Sequence, residues 1–258
     1  MQHEFFAEIT GRVQGTPQVM GDETSLQRAS ARIEVTQDIE TGHGMRSVTL
    51  RLKIWTDAQR WIDELRLYRD GDPIQVWCKQ LRPALPWRKP DEATWRAGRE
   101  GFVVDYLEPA AAAITEMFRV EITGRLGSDP GLGSDRFGRF GHLELMVNQR
   151  SGHGRDSATC SQLFHARVYD EDRALWLRRR LHQDDLVTVA CTSLIPGRLR
   201  AGSPSRDDGE YSVDPPLFNL VAVRPAAGDP ADEGEDSPGG DAHDADAARE
   251  AQTLAGLL

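Results

Sequence analysis

The chain has 258 residues, 39% of them hydrophobic, and a formal net charge of −10. That length suits one large domain or two of moderate size, and the modest apolar share predicts a polar tail or long polar loops. No apolar run is long enough to span a membrane, Met1-Gln2-His3-Glu4-Phe5-Phe6 is no secretory leader, and Cys78, Cys160 and Cys191 form no C-x-x-C, so a disulfide-free cytosolic protein is expected.

The first element is a strand through Glu8-Ile9-Thr10-Gly11-Arg12, and the same five letters return as Glu121-Ile122-Thr123-Gly124-Arg125, 113 positions on. Ile33 and Val35 alternate with Glu34 and Thr36, the mark of a second strand with one buried face. Leu50, Leu52 and Ile54 alternate with Arg51, Lys53 and Trp55 in a third. From Asp57 to Leu67 the period changes, and Ala58, Trp61, Ile62 and Leu65 fall at helical spacing. Ile74, Val76 and Cys78 open a fourth strand, and a fifth runs from Phe102 to Pro109.

The second half repeats this order. Leu143, Leu145 and Val147 alternate; Asp170 to Leu181 places Ala174, Leu177 and Leu181 at helical spacing; Val187, Val189 and Cys191 alternate again. Asp72–Cys78 lines up with Asp185–Cys191, and that register carries on to Leu81/Leu194 and Pro83/Pro196. Thr41-Gly42-His43-Gly44 matches Ser151-Gly152-His153-Gly154, and Phe102 and Pro109 match Phe218 and Pro225. Five strands with a helix between the third and fourth is the OB-fold order. The expected fold is all-β, with one short helix per domain: two tandem five-stranded OB-fold barrels plus a disordered acidic tail. The first barrel is assigned to residues 1–110, a linker to 111–115, the second barrel to 116–226 and the tail to 227–258.

The tail holds nine acids and one base, a charge of −8, so the body carries only −2 and can still present a basic face.

The second unit resembles the bacterial single-stranded DNA-binding protein family. Gly124-Arg125-Leu126-Gly127-Ser128-Asp129-Pro130 is similar to that family's first-strand motif; the first unit keeps Gly11-Arg12-Val13 and Pro17 but loses the Asp. Ile54-Trp55 and Val168-Tyr169 resemble its third strand, which ends in an aromatic before the helix. Gln80-Leu81-Arg82 followed by Trp87-Arg88-Lys89 resembles its basic loop with a DNA-stacking Trp. The resemblance implies sequence-nonspecific binding of single-stranded DNA in replication, recombination or repair. It also implies a homodimer giving four OB folds and association with the nucleoid. The sequence holds no Walker loop, nucleophile elbow or metal-ligand cluster, so neither enzymatic activity nor a cofactor is expected. Family tails usually end in an acidic run and a Pro-Phe; this tail is acidic but ends Thr253-Leu254-Ala255-Gly256-Leu257-Leu258.

Single-strand binding needs aromatic faces for bases and cations for phosphates. Arg51, Lys53 and Trp55 face away from the core side of the third strand, and His165, Arg167 and Tyr169 are their counterparts at an offset of 114. Trp87, Arg88 and Lys89 lie in the loop between strands four and five, with Arg198, Arg200 and Arg206 in the equivalent loop. Arg46, Arg150 and Arg155 belong to the hairpins between strands two and three and can contact phosphates. Phe137, Arg139 and Phe140 cluster before the second unit's second strand, and Trp77 is read as an interface residue. Cys78 and Cys191 read as small core residues, and the spacing of His153, Cys160 and His165 fits no zinc site. Ala247, Ala251, Leu254 and Leu258 share one helical face, so Leu254, Leu257 and Leu258 are assigned to a replication or repair partner. Two other readings stay open. One is an OB-fold protein-interaction scaffold anchored by Trp55 and Tyr169; the other is an RNA-binding module.

Overall fold

The structure is a computed structural model that describes residues 5–21, 27–41, 43–88, 91, 94–98, 100–135, 138–151, 158–200 and 212–226. The acidic tail, with Leu254, Leu257 and Leu258, lies outside the described residues, and the chain up to Ala226 forms one compact unit.

The first repeat comprises β1 (Phe5–Met20), β2 (Arg28–Thr41), β3 (Gly44–Thr56), α1 (Gln59–Leu65), β4 (Pro73–Arg82), β5 (Pro86–Trp87), β6 (Arg96–Ala97) and β7 (Gly101–Pro109). The second comprises β8 (Met117–Leu126), β9 (Gly131–Asp135), β10 (Gly138–Ser151), β11 (Ala158–Val168), α2 (Glu171–Arg180), β12 (Leu186–Ile195), β13 (Leu199–Arg200), β14 (Ser212–Val213) and β15 (Leu217–Pro225). In the first repeat β1 pairs β2, β2 pairs β3, β3 runs parallel to β7, β7 pairs β4 and β4 returns to β1. The ring is closed. β8, β10, β11, β15 and β12 close a second ring in the same order, again with one parallel pair, β11 with β15.

The repeated letters have structural causes. A Cβ on Gly11 would run into the Glu34 carbonyl oxygen, and one on Gly124 would meet the Met146 carbonyl oxygen at 2.8 Å. Only glycine lets the first strand of each ring press onto the second. The Arg that follows reaches the turn before the fourth strand: Arg12 donates to the Gly71 carbonyl at 3.1 Å and Arg125 to that of Asp184 at 2.8 Å. Asp72 and Asp185 close the same turns by accepting from the Arg69 and His182 amides.

The alternating residues point as expected: Ile33, Val35, Leu52, Ile54, Leu143, Leu145 and Val147 are all buried in one apolar core that runs through both rings. Cys78 and Cys191 are wholly buried, which pushes both thiols far up. Each helix starts beside its third strand. Asp170 caps α2 by accepting from the Arg173 amide, while Ala58 leaves α1 without a side-chain cap.

The two rings share a sheet. β1 and β8 pair antiparallel, with Ala7 opposite Val120, Phe5 opposite Ile122 and Ile9 opposite Phe118. Ala7 and Val120 are equivalent residues of the two repeats, so this pairing has local two-fold symmetry. Aromatic rings follow across the seam: Phe5 stacks on Phe164 at 5.8 Å and Phe102 meets Phe118 edge-on at 5.6 Å. Gln149 of β10 bridges to the first repeat, accepting from the Leu81 amide at 2.9 Å and donating to its carbonyl at 3.1 Å.

Gln149→Ala leaves both groups of the buried Leu81 peptide unmatched and is expected to destabilise the chain by about 1–3 kcal/mol in urea denaturation. Gly124→Ala, forced against backbone, should lower the unfolding midpoint well below that of Gly127→Ala, whose added Cβ meets its first neighbour at an ordinary 3.5 Å.

Candidate nucleic-acid interface

The third strand of each ring carries the expected outward side chains, but the repeats align differently than their letters suggest. Ile33 pairs with Val13 and Leu52; Leu145 pairs with Leu126 and Phe164. Ile54 lies beside Phe102 as Ala166 lies beside Phe218. Leu52 therefore corresponds to Phe164, Lys53 to His165 and Trp55 to Arg167. The expected match of Trp55 with Tyr169 is corrected by two residues, and Tyr169 takes the place of Asp57. A two-residue slip preserves the face, so all these residues still point outward.

In the first repeat Trp55 is not an open platform. It is 8% exposed. Arg82, from the end of β4, lies over it with the guanidinium carbon 3.2 Å from the ring centroid. Burial lowers the Arg82 pKa, and Asp57 opposes that shift. Beside the pair is a groove of about 200 Å³ lined by Met20, Arg28, Ala29, Ser30, Lys53 and Gly101 as well. Arg51 does not line it and pairs with Glu34 at 3.3 Å. Arg28 was not anticipated from the sequence, where it stands between a polar loop and a strand with nothing to mark its direction.

In the second repeat, a cleft of about 630 Å³ brings together His165, Arg167, Tyr169, Arg198 and Arg200. β11 supplies the first two, the start of the helix connection Tyr169, and the β13–β14 hairpin the two other arginines. Two carboxylates share the cleft. Asp135 Oδ2 accepts from Arg167 Nη1 at 3.1 Å and from the Tyr169 hydroxyl at 3.0 Å, and Asp214 pairs with Arg200 at 2.5 Å. Arg167 also lies over the Phe140 ring, 4.1 Å from its centroid. Burial, then the bond to Asp135, raises the Tyr169 pKa, keeping the phenol a donor. The cleft rim is tied to the first repeat, where buried Glu100 accepts from the Gly197 amide at 2.8 Å.

The remaining sequence-derived residues are more scattered. Arg46 is exposed on β3 near the hairpin tip. Trp87 sits on β5, which pairs with β6, and exposed Arg88 lies 5.2 Å from the Trp95 ring. The side chains of Trp87 and Arg150, and all of Lys89, Phe137, Arg155 and Arg206, lie outside the described residues. Among the described residues no cluster of three or more His, Cys, Asp or Glu could hold a metal ion, and no helix is long and apolar enough to cross a membrane.

No family model matches the sequence, and no curated protein matches it. Among solved structures, the wild-type single-stranded DNA-binding protein of Thermus aquaticus is similar with a TM-score of 0.58 and 17% identity, over 91% of this chain and 98% of that one. A deletion mutant of the same protein gives 0.59 and 16%, over 90% and 99%. The chain carries two OB folds in tandem. Both grooves lie on the outer face of an OB barrel's third strand, and the loop between strands four and five borders the second.

His165 gives this site a pH signature. Its half-buried ring has a lowered pKa, chiefly from desolvation, with Glu144 pulling the other way at 4.0 Å. The unfolded chain then takes up a proton near pH 6.5 that the folded chain refuses, so stability falls as pH drops through 6.5 and levels off below the folded value. His165→Gln should show a smaller loss of urea midpoint than the unsubstituted chain between about pH 7.5 and about pH 5.5, on either side of the ordinary histidine value.

Proposed function

We propose that this chain binds single-stranded DNA without sequence preference, covering it during replication, recombination or repair. The observation that carries this reading is the second-repeat cleft, where three arginines, a histidine and a tyrosine converge on the outer face of an OB barrel. Planar guanidinium groups suit phosphate oxygens, and Tyr, Trp and stacked Arg suit the faces of bases of any identity. The Thermus aquaticus protein of similar fold is named for the same activity, which supports the reading. The chain acts as a binder rather than a catalyst, and it works in the cytoplasm on the nucleoid.

Assembly is proposed through a second surface. Trp77 pairs with Tyr106 across β4 and β7, with ring centroids 5.3 Å apart, and Phe6 on β1 is 42% exposed nearby. Apolar rings on a sheet face favour a second sheet over water. A homodimer through this face, giving four OB folds, is the proposed functional form. The acidic tail, ending in Leu254, Leu257 and Leu258, is the proposed tether for replication or repair proteins.

Titration with oligo-dT should quench the intrinsic tryptophan fluorescence, with an affinity that falls as salt rises by about 0.7 log units per log unit of salt for each phosphate contacted. Arg82→Ala, which strips the cation layered on buried Trp55, should weaken binding by about tenfold while circular dichroism shows the barrel retained, the scale of one lost stacking contact. Absence of both quenching and a gel-mobility shift at low salt would overturn the reading. Tighter binding of folded RNA than of oligo-dT would replace DNA by RNA.

A further inference from the structure

The two grooves occupy equivalent places but differ in how their cations are held. In the second repeat, Arg167 and Tyr169 converge on one oxygen of Asp135, at 3.1 and 3.0 Å. A guanidinium N–H and a phenol O–H aimed at one anionic oxygen is also a donor set for a nucleotide phosphate. Asp135 reaches that spot because β9 pairs with β10, Gly138 standing opposite it. Arg200 in the same cleft is likewise paired, to Asp214.

The first repeat cannot build this arrangement. Trp55 stands where Arg167 stands, and Asp57 where Tyr169 stands, so neither donor exists. The groove instead presents Arg28, Lys53 and Arg82 around Trp55, with no carboxylate among its described lining residues. Asp57 lines the neighbouring cavity together with Trp55 and Arg82.

We propose that the two grooves are unequal seats for single-stranded DNA: the strand enters the first repeat's groove, and Asp135 holds the second cleft back by occupying the phosphate place on Arg167 and Tyr169. This rests on the single-strand-binding reading above. A strand that reaches the second cleft must displace Asp135, so the second repeat engages only at higher DNA occupancy or on longer strands. Arg28 and Lys53 of the first groove, with no ion pair among the described residues, gain the whole of each cation–phosphate contact; the second cleft gains only its excess over the contact already made.

The test uses the full chain and fluorescein-labelled oligo-dT of about 12 nucleotides, within the span of one OB fold, read by fluorescence anisotropy at low salt. Asp135→Asn should tighten binding several-fold, and the gain should vanish in Asp135→Asn/Arg167→Gln. Arg28→Gln/Lys53→Gln should weaken binding by about tenfold and reduce the log–log salt slope by about 1.4. Arg167→Gln/Arg198→Gln should cost several-fold less. Thermal melting of each variant separates lost contacts from lost fold. Unchanged or weaker binding by a folded Asp135→Asn, or an equal loss from the two double substitutions, would overturn the inequality and leave the single-strand reading standing. An unsubstituted chain that binds no oligo-dT would overturn both.

Discussion

The antiparallel pairing of β1 with β8 is the constraint on which the rest of the body depends. It places Ala7 against Val120, two equivalent residues, and so turns a linear repeat into a two-fold arrangement. Both strands are also wall strands of their own rings, through β4 and β12. Each ring therefore closes on a strand that is committed to the other ring as well. The phenylalanines at the seam, Phe5, Phe102, Phe118 and Phe164, fill space that belongs to neither repeat alone. Burying such rings is the dominant favourable term for a junction of this kind. One consequence is that the alanine-rich segment after Pro109 has little to do in holding the repeats together; the sheet does that.

Much of the barrel was legible because the strands alternate strictly. Ile33/Val35, Leu143/Leu145/Val147 and Val187/Val189 read as one buried face each, and each is buried. The helices were legible because their period breaks that alternation, although α1 is only Gln59–Leu65, shorter than the segment from Asp57 to Leu67. Alignment by letters failed at the third strand, where an aromatic before the helix drew Trp55 onto Tyr169. Pairing partners, not letters, set that register, and partners come from distant segments. The same limit hid Arg82 on Trp55 and Asp135 on Arg167. A side chain that arrives from another strand leaves no local pattern to find. The β1–β8 junction was equally silent, since a strand that serves two rings has the same alternation as a strand that serves one.

The repeats keep geometry while exchanging chemistry. Trp61 of α1 donates its ring N–H to the Asp105 carbonyl at 3.0 Å, and Arg173 of α2 donates a guanidinium N–H to the Val221 carbonyl at 3.0 Å. The turn before the fourth strand needs a left-handed residue, supplied by Gly71 at φ 84° in one repeat and Asp184 at φ 69° in the other. The ladder position of Trp77 and Tyr106 holds Ala190 and Ala222 in the second repeat. What was retained in both copies is the set of backbone groups that must be satisfied. What diverged is the outer surface, where the grooves and the aromatic patch lie.

The shared strand also orders events during synthesis. The first ring can close once β7 has left the ribosome, before β8 has emerged. Until then the edge of β1 from Phe5 to Thr10 stands with its hydrogen-bonding groups open toward the missing partner. An open strand edge is a template for whichever matching strand arrives first. In a crowded polysome that strand can be the β8 of a neighbouring chain, and the product would be two chains with exchanged second repeats. The short interval between Pro109 and Met117 favours the intramolecular partner, because it keeps β8 close to the edge it must find.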